Sequence, residues 1–123
     1  MKRILIVDDD PEIVGSLAML LAEKYEVGLA SDGLTALQRM KSGDYDIILL
    51  DLLMPGLDGA GLLRELSTRS DTIPVILLSA ARDLEVRARD LKISHYIAKP
   101  FHIDALEAQI ERLIGPAPRQ VRP

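Results

Sequence analysis

The chain has 123 residues, which is room for one domain and no second core. Hydrophobic residues at 48% and charged residues at 28% are ordinary globular values and exclude wholesale disorder. Zero cysteines exclude disulfides, thiolate metal sites and a cysteine nucleophile, and a net charge of −4 with one Phe, three Tyr and no Trp excludes a basic, ring-bearing nucleic-acid platform.

The first predicted element is the unbroken apolar run Ile4-Leu5-Ile6-Val7. Runs without alternation read as strands buried on both faces. Lys2-Arg3 before it could open an export signal, but the run stops at Asp8-Asp9-Asp10, too soon for a signal core. Residues 11–23 follow as a helix with Pro11 in its first turn and Ile13, Leu17, Leu20 and Leu21 on one face. Val27 to Ala30 is a weaker strand. Residues 34–42 place Leu34, Leu37 and Met40 at helical spacing after Asp32-Gly33. Ile47 to Leu50 and Val75 to Leu78 repeat the buried-strand pattern, and between them residues 59–69 carry Leu62, Leu63 and Leu66. Residues 83–92, with Leu84, Val86 and Leu91, form a weaker, charge-rich helix. Tyr96 to Ala98 is the last short strand. Residues 103–114 carry Ile103, Leu106, Ile110, Leu113 and Ile114, opened near Asp104 and closed by Gly115. Gly115 to Pro123 holds three prolines and no core pattern, and reads as a flexible tail or the start of a linker. No run approaches the ~20 apolar residues of a membrane span, so the expected location is the cytoplasm.

The pattern is β-α five times over. Right-handed crossovers turn it into an α/β fold, a five-stranded parallel sheet with helices on both faces. In such a sheet, ligands bind beyond the carboxyl ends of the strands. Asp8 and Asp9 stand after the first apolar run, Asp51 after the third, Ser79 after the fourth and Lys99 after the last. Three carboxylates at one edge repel one another, and a hard divalent cation relieves this. Lys99 and Ser79 would suit a phosphoryl group, and an aspartate can itself be the nucleophile that receives one. Each residue also has a plainer reading taken singly: a helix-dipole acid, a strand-end acid, a local hydroxyl, a solvated lysine. Asp10 is assigned to helix capping or solvent.

These residues resemble the receiver domain of two-component response regulators. The motifs are Ile4 to Asp9, Ile48-Leu49-Leu50-Asp51 followed by Met54-Pro55-Gly56-Leu57-Asp58-Gly59, then Leu77-Leu78-Ser79-Ala80, then Tyr96-Ile97-Ala98-Lys99-Pro100-Phe101. The resemblance runs from Lys2 to about Ile114. It implies a doubly wound, flavodoxin-like three-layer α/β/α sandwich with strand order 2-1-3-4-5. A receiver domain would then span 1–114, with 115–123 as tail or linker. It implies Asp51 as acceptor of a phosphoryl group from a histidine kinase phosphohistidine. It implies Asp9, Asp51 and the Leu53 backbone carbonyl as direct Mg²⁺ ligands, Mn²⁺ being able to substitute, and Asp8 as a ligand through water. Ser79 and Lys99 would hold the phosphoryl oxygens, and Ser79 and Tyr96 would switch the output surface around residues 80–112. Lys99-Pro100 matches a bond that is cis in such domains. Such a domain is a regulatory phosphoacceptor rather than an enzyme. Its partners are a histidine kinase or phosphotransfer protein and a downstream effector or linked output domain, without direct nucleic-acid or membrane binding. Kinase docking usually involves the first helix, whose exposed positions are expected to include Glu12 and Ser16.

The sequence departs from the pattern at two places. Lys92 stands where many receivers have a glycine suited to a left-handed helix end, so the helix over 83–92 is expected to end differently. His95 and Gln109 stand where one subclass places an Asp and an Arg that support a symmetric dimer.

Other readings fit less well. A phosphatase of the haloacid-dehalogenase type would use Asp8 and Asp10 in D-x-D-x-[TV], but the fifth position is Glu12. A dinucleotide motif fails at Arg64, and Ser79 lacks a G-x-S-x-G turn. The alternative that remains is a receiver-like docking module that works without phosphorylation.

Overall fold

In the computed structural model, residues 1–52, 61, 64 and 73–115 are described. The strands are β1 (Arg3–Val7), β2 (Glu26–Ala30), β3 (Ile47–Asp51), β4 (Val75–Ser79) and β5 (Tyr96–Ala98). All neighbours pair in parallel, in the order β2-β1-β3-β4-β5. The helices bounded within these residues are α1 (Pro11–Leu21), α2 (Gly33–Ser42), α3 (Leu84–Asp90) and α4 (Ile103–Ile114). Gly61 and Arg64 are also helical, but the expected face of Leu62, Leu63 and Leu66 lies outside the described residues, as do the Met54–Gly59 turn and the tail from residue 116.

The unbroken apolar runs follow from two cores, one on each side of the sheet. Successive side chains of a strand point to opposite faces. Leu5, Val7, Ile48, Leu50 and Leu77 therefore enter one core, against Ala36 and Met40 of α2 and Leu84 and Ala88 of α3. Ile4, Ile6, Ile47, Leu49, Ile76 and Leu78 enter the other, against Leu17 and Leu21 of α1 and Leu106 and Ile110 of α4. Helices on both faces leave the three central strands almost no face to water, so polar residues there are pushed to the strand ends.

Three predicted helix faces are corrected. Leu20, Leu34 and Val86 were assigned to buried stripes, yet all three are exposed. Ala36 and Ala88 take the core positions in α2 and α3. Leu34 and Val86 stand two residues from these alanines, about 200° round a helix, and so face solvent. The helix over 83–92 also ends as the common pattern does, against expectation. Lys92 adopts φ 60°. Its N–H donates to the Arg89 carbonyl at 3.0 Å, and the Ile93 N–H donates to the Ala88 carbonyl at 2.9 Å. This paired bonding closes the helix in the left-handed manner, with Ile93 packed on the core that holds Ala88. The backbone bonds and the Ile93 contact outweigh the side-chain penalty at Lys92.

Candidate functional site

Parallel strands in level register bring their carboxyl ends to one edge. Val7 of β1 lies beside Ala30 and Leu50, Asp51 beside Leu78, and Ser79 beside Ala98. Asp8 and Asp9 follow β1, Asp51 ends β3, Ser79 ends β4 and Lys99 follows β5. All five residues picked from the sequence are thus at this edge. Asp8, Asp51 and Ser79 are the buried polar side chains among the described residues, whereas Asp9 is exposed.

Asp8 is fixed from three sides. Its N–H donates to the Ala30 carbonyl at 3.1 Å, its Oδ1 accepts the Asp10 N–H at 2.9 Å, and its Oδ2 accepts Lys99 Nζ at 2.8 Å. Lys99 Nζ also lies 3.5 Å from Asp51 Oδ2. The Lys99 N–H donates to the Ser79 carbonyl at 3.0 Å, which ties the end of β5 to the end of β4. Ser79 Oγ accepts the Ala81 N–H at 3.1 Å. The Lys99–Pro100 peptide is cis, as the resemblance implied. Asp10 turns away from this group and caps α1, accepting the Glu12 N–H at 3.0 Å.

Carboxylate oxygens of Asp8, Asp9 and Asp51 all lie within 4.8 Å of one another. Among the described residues Lys99 is the ammonium that faces these three acids, so their formal charge is only partly offset. Burial works against the Lys99 charge. The hydrogen bond that Lys99 donates to Asp8 and the charges of Asp51 and Asp8 outweigh it, and the lysine pKa is raised. Lys99 therefore stays cationic. Hard oxygen donors at this spacing, two buried and one open to solvent, fit a hard divalent cation such as Mg²⁺. The Leu53 carbonyl lies outside the described residues.

Tyr96 lies at the surface, 36% exposed, and its carbonyl accepts Gln109 Nε2 at 3.3 Å. Beside Lys99 a groove of about 750 Å³ opens between α1 and the segment from Pro100 to Ile103. Glu12 and Ser16, named from the sequence, do line it. So do Leu20 and Phe101, which sequence reasoning missed. The available signals were the position of Leu20, a step off the Leu17–Leu21 stripe, and the chain's single Phe two residues after Lys99.

Comparison with known proteins agrees with this geometry. The family model described as "Response regulator receiver domain" matches residues 4–111. The regulatory protein VanRB of Enterococcus faecalis is 36% identical over 115 residues, covering 91% of this chain and 52% of that protein. The response regulator ArlR of Staphylococcus saprophyticus is 33% identical over 123 residues, covering 98% of this chain and 56% of that protein. The chain thus spans about half the length of these curated relatives. Among solved structures, the Francisella response regulator 1452 receiver domain superposes with a TM-score of 0.84 at 32% identity, covering 93% of this chain and 97% of that one. The response regulator TrrA of Thermotoga maritima, in complex with Mg²⁺-BeF, gives 0.82 at 35% identity, covering 92% of this chain and 99% of that one. With the fold, the strand-end carboxylates and the match over 4–111 in agreement, the chain belongs to the response regulator receiver domain family.

Proposed function

We propose that this receiver domain is a phosphorylation-controlled switch in which Asp51 accepts a phosphoryl group from the phosphohistidine of a histidine kinase or phosphotransfer protein. The observation that carries this reading is the gathering of Asp8, Asp9 and Asp51 within 4.8 Å, with Lys99 Nζ 3.5 Å from Asp51. A carboxylate oxygen of Asp51 attacks phosphorus, the O–P bond forms, the N–P bond breaks, and the departing imidazole nitrogen takes a proton. Mg²⁺, or Mn²⁺ in its place, would be held by Asp9, Asp51 and the Leu53 carbonyl directly and by Asp8 through water, and would supply charge neutralisation to the phosphoryl oxygens. Lys99 exchanges its carboxylate partners for a phosphoryl oxygen. Ser79 Oγ accepts from Ala81 in this structure, which leaves its own O–H proton to donate to the phosphoryl group. Its turn toward that group breaks the Ala81 bond and frees the start of the segment leading into α3. Tyr96 then turns inward, and the surface around residues 80–112 changes. The chain catalyses transfer to itself and its own dephosphorylation, and turns over no separate substrate.

The groove beside Lys99 supports docking of the phosphodonor on α1, because Leu20 and Phe101 give it an apolar floor close to Asp51's edge. The output partner is a downstream effector or an output domain linked through residues 115–123, with residues 1–114 as the receiver unit. No helix among the described residues is long and apolar enough to cross a membrane, which fits a cytoplasmic location. The acidic composition fits the absence of direct nucleic-acid binding.

Labelling with radioactive acetyl phosphate tests the reading. The wild type should take up acid-stable, base-labile label with Mg²⁺ present and lose it in excess chelator. Asp51→Asn should take up none. Label retained in Asp51→Asn would move the acceptor elsewhere. No label on the wild type with Mg²⁺ would leave the docking module that works without phosphorylation.

A further inference from the structure

The sheet has two outer strands. β5 borders the surface that phosphorylation is expected to change, and β2 is the other, paired with β1 alone. We infer that the free edge of β2 pairs with the same edge of a second copy of this chain, antiparallel and about a two-fold axis at Gly28. The pairing needs no phosphorylation and does not involve Asp51.

The backbone leaves this edge open. The Glu26 N–H donates to the Lys2 carbonyl at 3.0 Å, and the Ala30 carbonyl accepts the Asp8 N–H at 3.1 Å. Alternate residues of a parallel strand turn toward the same neighbour, so Glu26, Gly28 and Ala30 serve β1, and Val27 and Leu29 direct their N–H and C=O groups outward. These outward groups have no partner among the described residues. Outer strands are commonly blunted by lysine, proline or a bulge. Val27-Gly28-Leu29-Ala30 has none of these, and the one charged side chain of β2, Glu26, is held by Arg3 at 3.3 Å.

The strand fits its own copy in a single register. With Gly28 on the axis, Val27 exchanges two backbone hydrogen bonds with Leu29 of the second copy, and Leu29 exchanges two with its Val27. Both side chains project to the side of the sheet that holds Ile4 and Ile6, so each valine rests on a leucine, and Leu29, 37% exposed in one chain, loses its water. On the other side Gly28 meets Gly28, in the pairing where Cα atoms approach to ~4.5 Å. In each copy the Tyr45 ring and hydroxyl already cover that position. Glu26 falls opposite Ala30, so like charges do not face each other across the ladder. Ile13, Ser16 and Leu20 of α1 line the groove beside Lys99, which leaves Gly15, Ala18 and Ala22 on the flank of the helix above β2. None of the three is charged, so the two α1 helices meet no repulsion. A foreign strand with charged residues opposite Val27 and Leu29 finds no counter-charge on this edge, whereas a copy supplies apolar side chains in register.

Sedimentation of the unphosphorylated chain in chelator is the test, with hydrogen exchange read by NMR on the same samples. The weight-average mass should rise from one chain toward two as the concentration approaches about 1 mM, as small interfaces require. Added salt should not weaken the association, because no charge pair holds it. Exchange of the Val27 and Leu29 amides should slow with concentration, while Tyr96 and Ala98 on the other outer strand keep their rates. Leu29→Lys places a charge in both cross-strand pairs and should weaken association about tenfold. A monomer at every concentration would overturn the inference. So would concentration-independent exchange at Val27 and Leu29, protection that appears at Tyr96 and Ala98 instead, or a folded Leu29→Lys chain that associates like the wild type.

Discussion

Replacing Lys99 by Met tests the electrostatic account of the site most directly. Methionine keeps the length of the stem and removes the ammonium that lies 2.8 Å from Asp8 and 3.5 Å from Asp51. At an effective dielectric near 20 the two attractions are worth about 6 and 5 kcal/mol gross. Desolvation of all three groups offsets much of that, and removing one partner of a buried ion pair costs about 3–5 kcal/mol net. The side chains of Lys99, Asp8 and Asp51 are 14%, 1% and 8% exposed, and Asp9 opens the cluster to water, so the low end applies. A loss of about 3 kcal/mol in a domain of this length lowers Tm by roughly 12 °C. Urea and thermal unfolding in chelator measure it, with Lys99→Arg as the variant that keeps the charge and most of the stability. Mg²⁺ should then raise the Tm of Lys99→Met more than that of the wild type. In the wild type the ammonium already offsets part of the carboxylate charge that the ion would neutralise, so ion binding gains less there. A Lys99→Met chain that melts within a few degrees of the wild type in chelator would refute the account, as would equal gains from Mg²⁺.

Three other substitutions probe the scaffold. A methyl group at Gly28 would meet the Tyr45 ring carbons Cε1 and Cζ at 2.9 Å, so Gly28→Ala should lose about 1–3 kcal/mol in urea unfolding, whereas Gly28→Ala with Tyr45→Ala should recover part of it. Tyr25 is buried and its hydroxyl has no partner among the described residues. Tyr25→Phe should be neutral or stabilising at pH 7. Burial first, and the charges of Glu111 and Glu107 second, raise the Tyr25 pKa above its ordinary 10.0. The folded state therefore holds this proton more tightly, and the contribution is complete below pH 10 and lost as pH rises through the folded pKa. Tyr25→Phe should flatten that alkaline decline in a pH series of melts, and an unchanged slope would count against it. Lys92→Gly removes a side chain from φ 60° and should gain about 1 kcal/mol, unless the freedom of glycine in the unfolded chain cancels it.

The site was legible in the sequence because its residues are marked locally. Each follows an apolar run, and runs with both faces buried have room for polar side chains only at their ends. The sheet's direction then brings Asp8, Asp51, Ser79 and Lys99 together without any knowledge of the helices. Strand order was not legible in that way, since nothing in Val27 to Ala30 or Tyr96 to Ala98 says which edge it occupies, and it came from the family resemblance. Helix faces were legible only in part. Periodicity ranks Leu34 above Ala36, but α2 turns Ala36 and Met40 to the core, and Leu34, about 200° round the helix from Ala36, is left 64% exposed.

Lys92 shows the same limit for a backbone signal. A missing glycine suggested a different helix end, yet the two carbonyls of Ala88 and Arg89 need donors, and Ile93 has a place in the core. Those demands hold the left-handed turn whatever side chain stands there. Glycine would close the helix with less strain and carry no charge, whereas Lys92 lines a groove beside the free edge of β5. Lys92→Gly should therefore keep the Ile93 N–H bond to the Ala88 carbonyl, read as slow exchange of the Ile93 amide, and loss of that protection would show that the lysine side chain and not the backbone holds the turn.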